Sequence, residues 1–304
     1  MSLALLFPGQ GVQYAGMLSW LESEPLAAPA LAALSTCLGP GWRERLVDED
    51  WASSNRVAQP LMTCISLAAW RVLAPQLPQP TVVAGYSVGE IAAFSAAGLY
   101  DVETALRLAL QRATLMDACT TSEPAGLMSV SGLGVADVAL LAASFDASVA
   151  IRLGADRCIL GGKLAALAAI TAELLARGAE LKPLRVRVAS HTSAMIAAAA
   201  AFEAILQPLP WSRSTSVIAC NLDGTGRRDP NGLKQALARQ IDHTVAWDRC
   251  MTTISERRPA CVLEVGPSNT LARMWSAAHP EQPARSVDDF QSAQAVIEWV
   301  RSSP

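Results

Sequence analysis

The stretch around Ser87 constrains this chain of 304 residues more than any other. Residues 81–84 form a short apolar run, Gly85-Tyr86-Ser87-Val88-Gly89 follows, and residues 91–97 read as a helix. A G-x-S-x-G pentapeptide between a strand and a helix predicts a tight turn that pushes the serine outward in a strained conformation. A glycine on each side lets the turn close without a side-chain clash. The N-terminus of the following helix favours negative charge developing beside Ser87.

The rest of the chain supplies the layers such a turn needs. Short apolar strands alternate with amphipathic helices, the pattern of an α/β fold with a mostly parallel sheet. Strand 3–7 stops at Pro8-Gly9-Gln10-Gly11. Helices are expected over 25–38 and 60–74, the second with Pro60 in its first turn. Gly98 is placed to end helix 91–97, and Asp101 to cap helix 102–119. From 126 to 189 the rhythm changes: strand 127–131, helix 135–144, strands 147–153 and 157–160, helix 164–177, strand 182–188. That βαββαβ order is the ferredoxin-like unit. It is expected as a small subdomain (126–191) inserted into a larger one (1–125 and 192–304). Strands 215–220 and 260–265 and helices 194–206, 231–240 and 247–257 then resume the first pattern.

Hydrophobic residues make up 51% and charged residues 17%, which excludes a disordered or fibrous chain. A net charge of −3 without a lysine-rich tract gives no support to a nucleic-acid surface. The run 3–7 has no basic flank, so it reads as a strand and not a signal peptide. Polar residues interrupt the alanine-rich stretches before a membrane span is complete, so no membrane partner is expected. The seven cysteines are scattered with no CxxC pair, which reads as reduced thiols in a cytoplasmic protein without a metal site.

A serine nucleophile needs a base, and the chain offers His191, His243 and His279. His279 is flanked by Pro280 and reads as a surface residue, and His243 as a loop residue. His191 follows strand 182–188 and precedes a helix, where α/β folds place catalytic groups; the alternative is a capping histidine. On helix 102–119, Leu108, Arg112 and Leu115 share one stripe. A guanidinium there either snorkels to the rim or presents its planar fork to a carboxylate.

Together these residues resemble the malonyl-CoA:acyl-carrier-protein transacylases. The resemblance runs from residue 5 to about 275. It is carried by Leu6-Phe7-Pro8-Gly9-Gln10-Gly11, Ala58-Gln59-Pro60, Gly85–Glu90, Gln111-Arg112-Ala113, Ser190-His191, Gln240 with Val245-Ala246-Trp247, and Glu264-Val265-Gly266-Pro267. It implies an α/β-hydrolase-like core carrying a ferredoxin-like insert, Ser87 as nucleophile and His191 as base. It also implies an oxyanion hole from the main-chain N–H groups of Gln10 and Val88, and a Gln240 carbonyl that orients His191. Arg112, with Gln59, would hold the malonyl carboxylate. No cofactor is implied: malonyl-CoA is the substrate, and an acyl carrier protein brings a phosphopantetheine-type arm. Tyr86 stands where most members have histidine. Gly-Tyr-Ser-Val-Gly-Glu is similar to the epsilon subunit of bacterial malonate decarboxylase, which would make the other subunits of that enzyme partners. Arg152, Leu153 and Gly154 replace asparagines that the family tends to carry.

Two rivals share some of these features. A serine hydrolase would have the same turn and base, but a hydrolase of neutral esters gains nothing from a buried Arg112; in its patatin-like form Asp223 would be the partner, although Asn221–Thr225 reads as a plain turn. A non-catalytic carrier-binding subunit would not need Ser87, His191 and Arg112 together. For the carrier, Arg185 and Arg187 on one side of strand 182–188, and Arg227-Arg228, are the basic candidates.

Overall fold

The computed structural model describes residues 2–119 and 123–303. In chain order the strands are β1 (Leu3–Phe7), β2 (Val82–Gly85), β3 (Ala125–Ser131), β4 (Ala147–Arg152), β5 (Arg157–Lys163), β6 (Glu180–Pro183), β7 (Val217–Ala219), β8 (Gly226–Arg227), β9 (Val245–Ala246), β10 (Cys261–Glu264) and β11 (Ala284–Ser286). They form two sheets. The larger has the order β11-β10-β1-β2-β7-β8, parallel from β11 to β7, with β8 antiparallel at its edge. The smaller has the order β6-β3-β5-β4-β9.

Every residue of β1 is buried, as expected of a parallel strand covered on both faces. Alternation sends Leu3, Leu5 and Phe7 into one apolar cluster and Ala4 and Leu6 into another. The first cluster is roofed by helices Asn55–Leu73, Gly89–Ala96, Val102–Ala118 and Ile196–Leu206. The second joins the sheets: Ala4, Leu6, Val82 and Ala84 meet Leu127, Ile151 and Ile159 around Trp247 and Trp275. A third cluster, with Val130, Leu160, Ile170 and Leu174, packs against the smaller sheet. In that sheet the four strands of the βαββαβ segment pair antiparallel in the order β6-β3-β5-β4, and β9 is added in parallel from the larger segment.

Three expectations are corrected. The long helix begins at Asn55, so Pro60 lies inside it and not in its first turn; Asn55, Val57, Ala58 and Gln59 are all buried, and that burial extends the helix past the proline. Strand 182–188 ends at Pro183, with one last backbone bond from the Leu184 N–H to the Leu127 carbonyl at 2.9 Å. Beyond it Val186 and Val188 pack onto the larger core and draw the chain off the sheet. Arg185 and Arg187 therefore lie on a connection, not on a strand, and pair with Glu49 and Asp50. Among the described residues one helix, Asn55–Gln76, is long and apolar enough to cross a membrane, and most of it is buried within the protein.

Candidate active site

Strand β2 ends at Gly85 and the next helix begins at Gly89, leaving three residues for the turn. Neither glycine has room for a side chain. A Cβ at Gly85 would lie 2.0 Å from the Gly89 carbonyl carbon, and one at Gly89 would lie 2.2 Å from the Phe7 carbonyl oxygen. Between them Ser87 has φ 54°, a left-handed conformation that costs a non-glycine residue about 1–3 kcal/mol. The strained turn aims its hydroxyl at a histidine: Ser87 Oγ lies 2.8 Å from His191 Nε2.

His191 also has positive φ, 63°, and its main-chain N–H donates to the Ile241 carbonyl at 2.8 Å. The ring Nδ1 lies 2.6 Å from the main-chain oxygen of Gln240, the residue that ends helix Pro230–Arg239. A carbonyl can only accept, so Nδ1 carries the proton and Nε2 is left to accept from the Ser87 hydroxyl. Burial, and then the positive charge of Arg112, push the His191 pKa down to about 3. The imidazole is neutral at pH 7, the state a base must start from.

Arg112 is fully buried. Its Nη1 donates to Gln59 Oε1 at 2.8 Å and its Nη2 reaches Ser87 Oγ at 3.4 Å. Burial lowers its pKa to about 10, partly opposed by Glu90, so it stays charged at neutral pH. Among the described residues its hydrogen-bond partners are both uncharged, a costly state for an enclosed guanidinium. The structure thus brings five of the expected residues together: Ser87, His191, Gln240, Arg112 and Gln59.

Gln10 stands in the turn after β1. Its side-chain amide donates to Asn55 Oδ1 at 3.0 Å, and Asn55 donates to Asp117 Oδ1 at 2.7 Å, which ties this turn to the end of the Arg112 helix. Val88 is the residue before helix Gly89–Ala96. Among the described residues neither the Gln10 nor the Val88 main-chain N–H has a protein acceptor. The other histidines are elsewhere engaged: His243 with Asp242, and His279 against Trp275 at 4.5 Å between ring centres. Asp223 accepts from Thr225 and pairs with Arg227, as a turn residue would. A Ser87–Asp223 dyad is not formed.

Residues 4–303 match the model of the acyl transferase domain family. The chain belongs to that family.

Among the relatives of this acyltransferase, the malonyl CoA-acyl carrier protein transacylase of Mycobacterium tuberculosis is 32% identical over 291 residues, which is 94% of this chain and 96% of the relative. The acyl-carrier-protein S-malonyltransferase of Burkholderia pseudomallei superposes with a TM-score of 0.90 at 26% identity, over 98% of this chain and all of that one. A malonyl-transacylase solved in complex with a type II PKS acyl-carrier protein gives 0.90 at 26% identity, over 98% and 99% of the two chains. The sheet-and-helix architecture is shared with these structures.

In this acyltransferase Tyr86 sets its ring edge-on to Trp247 with centroids 5.2 Å apart, packed against the cluster that joins the sheets. Arg152 approaches Asp248 at 3.4 Å. A cavity lined by Thr192 and Met195 of the larger segment, and by Ser148, Gly161 and Ala189 of the smaller, adjoins His191 along the chain. Two residues at the turn escaped the sequence: Asn221, hidden in a stretch that reads as a turn, and Glu90, visible in the motif but without an assigned task. Their signal is burial: both are inaccessible to solvent.

Proposed function

We propose that this acyltransferase moves a malonyl group from coenzyme A to an acyl carrier protein through a malonyl-Ser87 intermediate. The observation that carries the reading is Arg112, an enclosed cation with uncharged partners whose Nη2 reaches to 3.4 Å from the nucleophile oxygen. A malonyl thioester attacked at that oxygen presents a carboxylate two carbons from the reacting carbonyl, and a guanidinium fork receives a carboxylate with two hydrogen bonds. The names of the relatives support the same substrate pair.

In the first half-reaction Ser87 Oγ attacks the thioester carbonyl while His191 Nε2 takes its proton. The oxyanion accepts hydrogen bonds from the Gln10 and Val88 N–H groups, each donor lowering the barrier by roughly 3–4 kcal/mol. The intermediate collapses, the C–S bond breaks, and His191 returns the proton to the departing CoA sulfur. In the second half the carrier's thiol gives its proton to His191 and attacks malonyl-Ser87; the ester C–O bond breaks and His191 returns the proton to Ser87 Oγ. The Gln240 carbonyl holds the imidazole throughout, so the base is a dyad and needs no acidic third member.

We read 126–191 as a ferredoxin-like insert, and 1–125 with 192–304 as an α/β-hydrolase-like core; four of the five strands of the smaller sheet coming from the first segment support that reading, and β9 joins them from the second. Tyr86 favours a carrier belonging to malonate decarboxylase; the relatives, one of them solved with a type II PKS acyl-carrier protein, favour the carriers of fatty-acid or polyketide synthesis. Transfer assays with a carrier bearing ordinary phosphopantetheine, and one bearing an extended coenzyme-A-like arm, separate the two. Seven free thiols, most of them buried, support a cytoplasmic setting.

The test of the malonyl reading is Arg112→Ala. A charged hydrogen bond contributes roughly 1.5–3 kcal/mol. Malonyl transfer should therefore fall by about ten- to over a hundredfold while acetyl transfer holds or rises. Equal losses for both acyl groups would show Arg112 to be structural.

A further inference from the structure

We propose that Asn221 is the positioning residue of the nucleophile, gripping the turn on both sides of Ser87 with one amide side chain. Its Oδ1 accepts from the Ser87 main-chain N–H at 2.8 Å, and its Nδ2 donates to the Gly85 carbonyl at 2.6 Å. Those two groups bracket Tyr86, and the distance between them changes when the turn opens. A single rigid amide that satisfies both fixes the turn in the conformation with Ser87 at φ 54°.

Asn221 is itself held. Its main-chain N–H donates to Glu90 Oε1 at 2.6 Å, and its carbonyl accepts from the Ala246 N–H at 2.7 Å. Glu90 lies in the first turn of the helix that follows Ser87, so the contacts close a loop: turn to Asn221, Asn221 to Glu90, Glu90 back to the helix. Asn221, Glu90 and the Gly85 carbonyl are all buried, where a hydrogen bond is electrostatically stronger and a lost partner is not replaced by water. The strain at Ser87 persists because its surroundings over-determine it. Asn221 supplies the contact that bears directly on the strained residue.

The proposal rests on Ser87 being the nucleophile, and its consequence is specific. A misplacement near 1 Å costs about a hundredfold in rate without touching the groups that bind substrate. Asn221→Ala should lower kcat for malonyl transfer by about thirty- to a hundredfold and leave KM for malonyl-CoA within about twofold, because Arg112 and Gln59 are untouched. A fluorophosphonate, which phosphonylates the serine oxygen with loss of fluoride and needs no carboxylate, should label Ser87 more slowly by a similar factor. Its rate constant is read on the folded fraction alone, so a poor yield of the variant does not obscure it. If Asn221→Ala cannot be purified, Asn221→Asp keeps the size and the acceptor but loses the donor to Gly85, and should show a smaller slowing with the same unchanged KM. Wild-type labelling rates in these variants, or a raised KM with kcat intact, overturn the proposal. Failure of the wild-type protein to be labelled at Ser87 would instead remove the nucleophile on which it rests.

Discussion

Burial and the neighbouring Arg112 charge hold the His191 imidazole near a pKa of about 3, against an ordinary value of 6.5. The sign follows directly: a depressed pKa keeps the base neutral as pH falls, so no activity is lost through the usual imidazole range. The profile of kcat/KM for malonyl-CoA, which reports the free enzyme, should be flat between about pH 5.5 and 7.5. An acid limb with its midpoint near 6.5 would contradict the environment described for His191. A bound malonyl carboxylate would neutralise part of the Arg112 charge and ease protonation of His191, so the acid limb of kcat should lie at higher pH than that of kcat/KM. At this scale much was legible. Gly85–Gly89 is the chain's one G-x-S-x-G, three histidines left a short choice, and Arg112 betrayed itself by sharing a stripe with Leu108 and Leu115. Asn221 was not legible, because its task exists only once β7 is laid beside β2. In sequence, Asn221-Leu222-Asp223-Gly224 is a turn, and it is also a turn in the structure.

Element by element, the turn at Ser87 is closed by two glycines that leave no room for a side chain. A methyl group at Gly89 would meet the Phe7 carbonyl at 2.2 Å, and backbone cannot step aside as a side-chain tip can. Gly89→Ala should therefore destabilise by more than the ~1–3 kcal/mol of ordinary overpacking, separating β1 from the helix after Ser87. Chemical denaturation would show a shifted midpoint, whereas unchanged stability would mean that the close approach is not maintained in solution. The same elements show where sequence periodicity stops informing. Long apolar patterns gave the helices over 102–118 and 164–176 to within a residue or two. Residues 182–188 alternate like a strand, yet the strand stops at Pro183 and beyond it the alternation serves packing onto the larger core. The two-residue strands β8 and β9 are too short to carry a period of two. Helix Ala293–Ser302 carries its signal in Ser292, which caps it, and in the buried Val296, Ile297 and Val300.

For the molecule as a whole, the second apolar cluster makes the two sheets interdependent, and two enclosed carboxyls, Glu90 and Glu264, both raised by burial, make its stability depend on pH. Burial lifts the pKa of Glu264 to about 8, although the Ala272 N–H donates to its Oε2 at 2.8 Å. Between the ordinary carboxyl value of 4.5 and about 8, the folded state holds a proton that the unfolded chain has lost, so stability falls as pH rises through that window. Glu264→Gln keeps an acceptor and cannot ionise. It should raise Tm by several degrees at pH 8 and change it little at pH 5; an equal change at both pH values would place Glu264 outside this account. The exposed arginines beside the smaller subdomain carry less docking charge than their spacing suggested, since Glu49 and Asp50 face Arg185 and Arg187. The central claim is a covalent one, and peptide mass spectrometry after incubation with malonyl-CoA tests it most directly. A malonyl adduct on the peptide containing Gly85–Glu90, absent from Ser87→Ala, is the predicted result. An adduct that survives Ser87→Ala, or one that maps to a cysteine, would contradict it.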